Sequence, residues 1–243
     1  MLSQYDLIHK TNWKTLIILD ACRYDYFERY NFLKGRLFKC KSSAPHTYIW
    51  LEKTFPKFYD LTYFSAHPYI GHKINPKQSY NAPLHFKEVI SIWNLAWDDK
   101  LGTVHPKNVC KVVKMIPYEK AIVHFIQPHG PWIGETKLTT EWTLRDHSKY
   151  GIMGDGVIIS KRPDPDLLKK AYRDNLLLVL KVLKEYYYCF RQPVIITADH
   201  GEMLGEGGYY LHKVGYPKWT DEILYTVPWF IWKEKFITSP YYI

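Results

Sequence analysis

Three apolar runs in this sequence of 243 residues end in groups that can hold a metal ion or move a proton. TLIILD (15–20) closes on Asp20, AIVHFIQPH (121–129) leads through Gln127 and Pro128 to His129, and VIITADHG (194–201) closes on adjacent Asp199 and His200. A fourth segment, RLFKCKSSAPHT (36–47), presents three hydroxyls, Ser42, Ser43 and Thr47. Carboxylates supply hard oxygen and imidazole a borderline nitrogen, a combination that suits a divalent cation. A hydroxyl beside such a cation becomes a usable nucleophile, because the charge stabilises its alkoxide. The reaction this set suits is displacement at phosphorus or sulfur, with basic groups offsetting the anionic transition state.

Each residue alone also has a structural role open to it. Asp20 can cap the next helix, and Thr47 can serve a turn. Pro128-His129-Gly130-Pro131 can be a rigid turn, and Asp199 can turn the chain so that His200 is exposed. Their joint occurrence at strand ends favours a site.

The elements that must position them follow from periodicity. Segments 15–20, 36–43, 60–68, 120–132 (its first part) and 193–201 (its first part) carry strand patterns, the first of them a fully buried parallel strand. Segments 21–30, 44–55, 86–99 and 164–190 have apolar residues at helical spacing. The last is the clearest, with Asp164 as N-cap and Pro165 at the first helical position. Residues 71–84 read as a loop, and 134–163 as an irregular insertion or lid. Strands alternating with helices predict one α/β domain over 1–243, a doubly wound, mainly parallel sheet with helices on both faces. Ligands of such sheets bind beyond the carboxyl ends of the strands, where the four groups lie.

Composition sets the outer limits. Hydrophobic residues make up 47% and charged residues 23%, which is enough to build a core. Thirty-three Lys and Arg against 24 Asp and Glu give a net charge of +9, which favours anionic partners. The cations are scattered, so a nucleic-acid partner is not expected. Cys22, Cys40, Cys110 and Cys189 are widely spaced and form no CxxC, the usage of reduced thiols. Neither a signal-peptide core nor a long uncharged apolar stretch is visible, so a cytoplasmic protein without a membrane span is the expectation.

Four blocks occur in an order that resembles the alkaline phosphatase/sulfatase superfamily, specifically its short sulfatase-like members. They are TLIILDACRYDYF (15–27), SSAPHTYIWL (42–51), VHFIQPHGPWIG (123–134), and the stretch 171–230 with its long helix, DHGE strand end, later His212 and TVPWF strand. The resemblance implies an alkaline phosphatase-like α/β fold. It makes Asp20, Asp199 and His200 metal ligands, and Thr47 a nucleophile that also touches the metal and forms a covalent ester. His129 and His212 would contact the anionic oxygens of the substrate or assist the leaving group. Arg23 and Asp25 would form a salt bridge or cap behind the site. Ser43, then Ser42, are the alternative nucleophiles.

Two departures narrow this expectation. No C-x-[PA]-x-R motif is present to supply a formylglycine, which disfavours a conventional arylsulfatase. No Asp is followed four residues later by His, which favours one divalent ion (manganese, zinc or calcium), with His129 and His212 available for a second, weaker site. The expected function is therefore a metal-dependent hydrolase of phosphate, phosphonate or sulfate esters acting through a threonine intermediate. Its substrate would be a small anionic ester or a glycan- or lipid-linked one. The alternatives are a soluble phospho-group transferase acting on a glycan or lipid precursor, and a non-catalytic binding protein that retains the fold.

Overall fold

TLIIL, AIVHF and VIIT bury every side chain, so they form the middle of a sheet covered on both faces. A computed structural model describes residues 1–68, 70–71, 80–138 and 163–233. Its principal strands are β1 (Leu2–Ser3), β2 (Thr15–Leu19), β3 (Gly35–Lys41), β4 (Tyr59–Ser65), β5 (Phe86–Ser91), β6 (Ala121–Phe125), β7 (Val194–Thr197) and β8 (Thr226–Trp232). They make one eight-stranded sheet in the order β1-β3-β8-β7-β2-β6-β4-β5. Every pairing is parallel except those of β8, which runs antiparallel to both β3 and β7. The architecture is thus the mainly parallel α/β sheet that the sequence predicts.

The longer helices are α1 (Gln4–Lys10), α2 (Tyr24–Tyr30), α3 (Thr47–Thr54), α4 (Pro106–Met115) and α5 (Pro165–Glu185). The start of α5 follows from sequence: Asp164 accepts a hydrogen bond from the Leu167 N–H at 2.8 Å, and Pro165, which has no N–H to lose, follows it. Its inner face buries Leu168, Ala171, Tyr172, Asn175, Leu176, Val179, Leu180 and Leu183, the three-and-four spacing of an amphipathic helix. On α1, Gln4 is fully buried; its amide donates to Thr197 Oγ1 and Ala198 O and accepts from Trp50 Nε1 of α3. The end of β7 is thereby tied to both helices.

One expected element is different. The helix predicted over 86–99 is the strand β5 followed by a single helical turn, Ile92–Leu95, and the short strand Trp97–Asp98. A register shift between Tyr59 and Thr62, where β4 pairs with β5, breaks the alternation of buried positions. Phe86 and Val89 both turn inward, three residues apart, which imitates a helix face. The β-branched Val89 and Ile90 and the open edge of β4 decide the outcome. Helix α5 also ends at Glu185, five residues earlier than predicted, and a 3-10 turn over Tyr187–Cys189 follows. Most of the loop predicted over 71–84 and of the insertion predicted over 134–163 lies outside the described residues; Ala82–His85 forms a helical turn.

Candidate active site

Strands β2, β7, β6, β4 and β3 point their carboxyl ends to one side of the sheet, and each is followed there by a chemically capable residue. Asp20 follows β2, Asp199 and His200 follow β7, His129 follows β6, His67 follows β4, and Thr47 opens α3 after β3. With His212 beside His200, the structure brings all six sequence-predicted site residues together: Asp20, Thr47, His129, Asp199, His200 and His212. Asp20, Asp199, His200 and Thr47 are almost wholly buried.

Asp20, Asp199 and His200 each offer a ligand atom within 4.8 Å of the others. His200 Nε2 lies 3.3 Å from Asp199 Oδ2 and 3.7 Å from Asp20 Oδ1. Thr47 Oγ1 lies 3.2 Å from the same nitrogen. The two serines are engaged elsewhere: Ser43 shares a hydrogen bond with Thr54 Oγ1 at 2.7 Å, and Ser42 donates to the Ala44 and Asp199 carbonyls. Of the three hydroxyls, Thr47 is the one bonded to this carboxylate and imidazole group. It is also the first residue of α3, whose His46 cap accepts from the Tyr48 N–H through Nδ1. Helix N-termini favour negative charge, which suits an anion at this hydroxyl.

A second cluster adjoins the first. His129, Glu202 and His212 also offer ligand atoms within 4.8 Å of one another, and all three are buried. Glu202 Oε1 is 3.1 Å from His212 Nδ1, and Glu202 Oε2 is 3.8 Å from His129 Nε2. The His200 and His212 rings are 4.2 Å apart, centroid to centroid, so the two clusters share a wall.

Hydrogen bonding fixes the tautomers. A backbone carbonyl only accepts, so His200 Nδ1, 2.8 Å from the Gly201 oxygen, carries the proton, and so does His129 Nδ1, 2.8 Å from the Gly130 oxygen. The His200 Nε2 lone pair therefore points into the site, the arrangement that metal-binding imidazoles adopt. Burial pushes His200 down to about 3 against the pull of Asp199, and burial drives His67 well below its ordinary value. Both rings are neutral at neutral pH. Burial alone would raise the Asp199 pKa, but any charge on the facing His200 and His124 rings, together with hydrogen bonds from Thr47 and the Ala21 N–H, holds the carboxyl well below the usual range.

The donor set can be tested against a cation on these facts. Asp20, Asp199 and Glu202 are carboxylates buried to within 2% of full enclosure, facing imidazoles of which His200 is held neutral. Asp199 Oδ2 is buried and takes no hydrogen bond among the described residues. Buried carboxylates are costly unless opposed by positive charge, and hard oxygen with imidazole nitrogen is what a zinc- or manganese-class ion takes. The residues fit a divalent ion.

Three participants escaped the sequence reading. Glu202 stands in the quoted DHGE, but only the fold shows it facing His129 and His212. His67 stands one residue before the Pro68 that closes the predicted strand 60–68, and its Nε2 lies 3.5 Å from Asp20 Oδ2; its strand-end position was the available signal. His46 sits 5.3 Å from the His212 ring and 6.3 Å from the His200 ring. Arg23 and Asp25 form the ion pair expected behind the site, at 2.7 Å. Arg23 also pairs with Glu206 at 2.6 Å and donates to the Glu202 carbonyl at 3.2 Å.

No protein-family model matches the chain, and no curated protein matches it in sequence. Solved structures do resemble it. The C-terminal periplasmic domain of phosphoethanolamine transferase EptC from Campylobacter jejuni is 16% identical, with a TM-score of 0.51 over 89% of this chain and 77% of that one. The zinc complex of the C-terminal periplasmic domain of EcEptC from Escherichia coli is 13% identical, with a TM-score of 0.54 over 93% and 74%. The soluble domain of lipooligosaccharide phosphoethanolamine transferase A from Neisseria meningitidis is 16% identical, with a TM-score of 0.50 over 89% and 75%. At these identities the likeness establishes the fold alone, an alkaline phosphatase-like α/β architecture. None of the described helices is long and apolar enough to cross a membrane.

Proposed function

We propose that the chain is a metal-dependent enzyme that moves a phospho group through a covalent intermediate on Thr47. The observation that carries this reading is the Thr47 hydroxyl, at the N-terminus of α3 and 3.2 Å from His200 Nε2, beside buried carboxylates that call for a cation. Asp20, Asp199 and His200 hold a divalent ion, and the zinc complex of a structural neighbour supports zinc first. When bound, the ion supplies the positive charge that stabilises the threonine alkoxide and the anionic transition state.

The chain's own residues do the rest. Thr47 Oγ1 attacks phosphorus as the bond to the departing alcohol breaks, and the proton given up by the Thr47 hydroxyl passes to that alcohol. His129 and His212 contact the phosphoryl oxygens or deliver that proton. The α3 N-terminus favours the charge gathering at Thr47. An incoming hydroxyl then attacks phosphorus from the opposite side and frees Thr47. Two in-line displacements retain configuration. A threonine oxygen and the missing formylglycine motif favour phosphoesters over sulfate esters.

If water is the second nucleophile, the enzyme is a hydrolase; if it is the hydroxyl of a glycan or lipid precursor, a transferase. The three solved neighbours described above are domains of phosphoethanolamine transferases, which supports the transferase reading. We propose one domain and, from four free cysteines, a cytoplasmic location, although the neighbours include periplasmic domains. Cell fractionation checks the location. Turnover of p-nitrophenyl phosphate, bis-p-nitrophenyl phosphate and p-nitrophenyl sulfate with a panel of divalent ions tests the activity. No turnover with any pair, together with no bound metal, would leave a binding protein with this fold.

A further inference from the structure

We propose that one face of α5 is the positioning device of the site, with Tyr172 setting the Asp20 turn and Asn175 setting the His129 loop. The inference rests on the metal-site reading above and adds to it two residues outside both clusters. Tyr172 and Asn175 are three residues apart, on one side of a 21-residue helix. Both side chains are fully buried.

The Tyr172 hydroxyl donates to the Ala21 carbonyl at 2.6 Å and accepts from the Arg23 N–H at 2.9 Å. Between those bonds Ala21 sits at φ 57°, a left-handed conformation that a side chain disfavours. That turn aims the Ala21 N–H at Asp199 Oδ1, 3.0 Å away, where the His200 N–H also binds at 3.0 Å. The strained turn next to Asp20 therefore orients the neighbouring carboxylate, and Tyr172 holds the turn from both sides. Strain of this kind persists where surrounding structure enforces it.

Asn175 does the same for the loop after β6. Its amide nitrogen donates to the carbonyls of His129 at 3.0 Å, Pro131 at 3.2 Å and Pro128 at 3.3 Å. Its oxygen accepts from the Ile133 N–H at 2.9 Å. The loop lies hard against the helix at Gly134, where an added Cβ would sit 2.6 Å from the Asp174 carbonyl. The two loops are bonded to each other as well, the His129 N–H donating to the Asp20 backbone carbonyl at 3.2 Å. One rigid helix face thus fixes the separation of the two clusters.

Partners that orient metal ligands typically contribute about 10–100-fold in metal affinity. The test uses the full chain as wild type, Tyr172→Phe, Tyr172→Phe with Ala21→Gly, and Asn175→Asp. Each is titrated with zinc(II) after chelation and followed metal-free by amide hydrogen exchange. Tyr172→Phe is expected to lower zinc affinity about 10–100-fold and to speed exchange of the Ala21 amide. Glycine at position 21 accepts the left-handed turn without a penalty and is expected to restore most of the affinity, a rescue that lost packing would not show. Asn175→Asp keeps the acceptor and loses the donors; it is expected to weaken zinc binding and speed exchange of the His129 amide. It provides the second arm if Tyr172→Phe does not fold. Unchanged affinity and exchange in both isosteric variants would overturn the proposal, as would a failure of glycine to rescue. If wild type binds no zinc, the metal reading falls, and the exchange of the Ala21 and His129 amides alone decides the positioning role.

Discussion

Thr47 Oγ1 and His200 Nε2 stand 3.2 Å apart across the carboxyl end of the sheet, and they come from segments 153 residues apart. His200 is held there neutral, with its Nδ1 proton spent on the Gly201 carbonyl. The pairing places a hydroxyl at the helix N-terminus against a lone pair and two buried carboxylates, and the predictions follow from it.

Removing the hydroxyl removes the nucleophile. Thr47→Ala is expected to lower kcat by at least about 10³-fold, since loss of a nucleophile costs up to about 10⁶-fold in hydrolases that use one. Thr47→Ser is expected to keep a measurable fraction. Steady-state turnover of the best p-nitrophenyl ester checks both, and full activity in Thr47→Ala would contradict the assignment.

The two clusters are expected to differ in what they hold. Asp199→Asn strips the group formed with Asp20 and His200, whereas Glu202→Gln affects the group formed with His129 and His212. Elemental analysis of each variant, after dialysis against a fixed zinc concentration, reads the stoichiometry directly. Wild type is expected to retain one tightly held equivalent, lost in Asp199→Asn and kept in Glu202→Gln. The reverse order would exchange the roles of the clusters.

Acid is expected to destabilise the chain through His124. This ring is fully buried, bonded to Tyr63 Oη at 2.7 Å, and burial pushes its pKa from 6.5 down to about 4. The folded state keeps it neutral where the unfolded chain protonates it. Stability is therefore fully present above pH 6.5 and is lost as the pH falls through the window to 4. The loss between pH 7 and 4.5 is about 2–3 kcal/mol. Urea unfolding of wild type and His124→Gln at both pH values should show a smaller difference for the variant.

Gly201 is expected to tolerate no side chain. A Cβ there would stand 2.0 Å from the Ile223 carbonyl oxygen, and the Gly201 N–H donates to Leu224 O at 2.8 Å. Gly201→Ala must push the Asp199-His200 turn away from the helix Asp221–Tyr225, at a cost of about 1–3 kcal/mol. Gly208→Ala meets nothing within 4 Å and is strained only by its φ of 79°, so chemical denaturation should rank it as the milder change.

The central strands were legible because TLIIL, AIVHF and VIIT are buried on both faces, which leaves an unbroken apolar run. Their terminal residues stood out by contrast, so Asp20, His129, Asp199 and His200 could be named from sequence. Strand β5 was not legible, because its irregular pairing with β4 puts buried Phe86 and Val89 at helical spacing. The second cluster was only partly visible: His129 stood at a strand end and His212 came from the resemblance, but the acid that joins them, Glu202, lies on a turn whose direction the sequence does not state. Tyr172 and Asn175 were hidden for a different reason. On an amphipathic helix they occupy inward positions that any core residue could fill, and their hydrogen bonds reach backbone groups, which leave no mark in sequence.

The most direct measurement is mass analysis of peptides from protein quenched during turnover of bis-p-nitrophenyl phosphate with zinc(II). The account predicts a phosphoester adduct on Thr47, absent in Thr47→Ala and lost when a second nucleophile is added. An adduct on Ser43 or Ser42, or sustained turnover with Thr47 unmodified and dispensable, would contradict it.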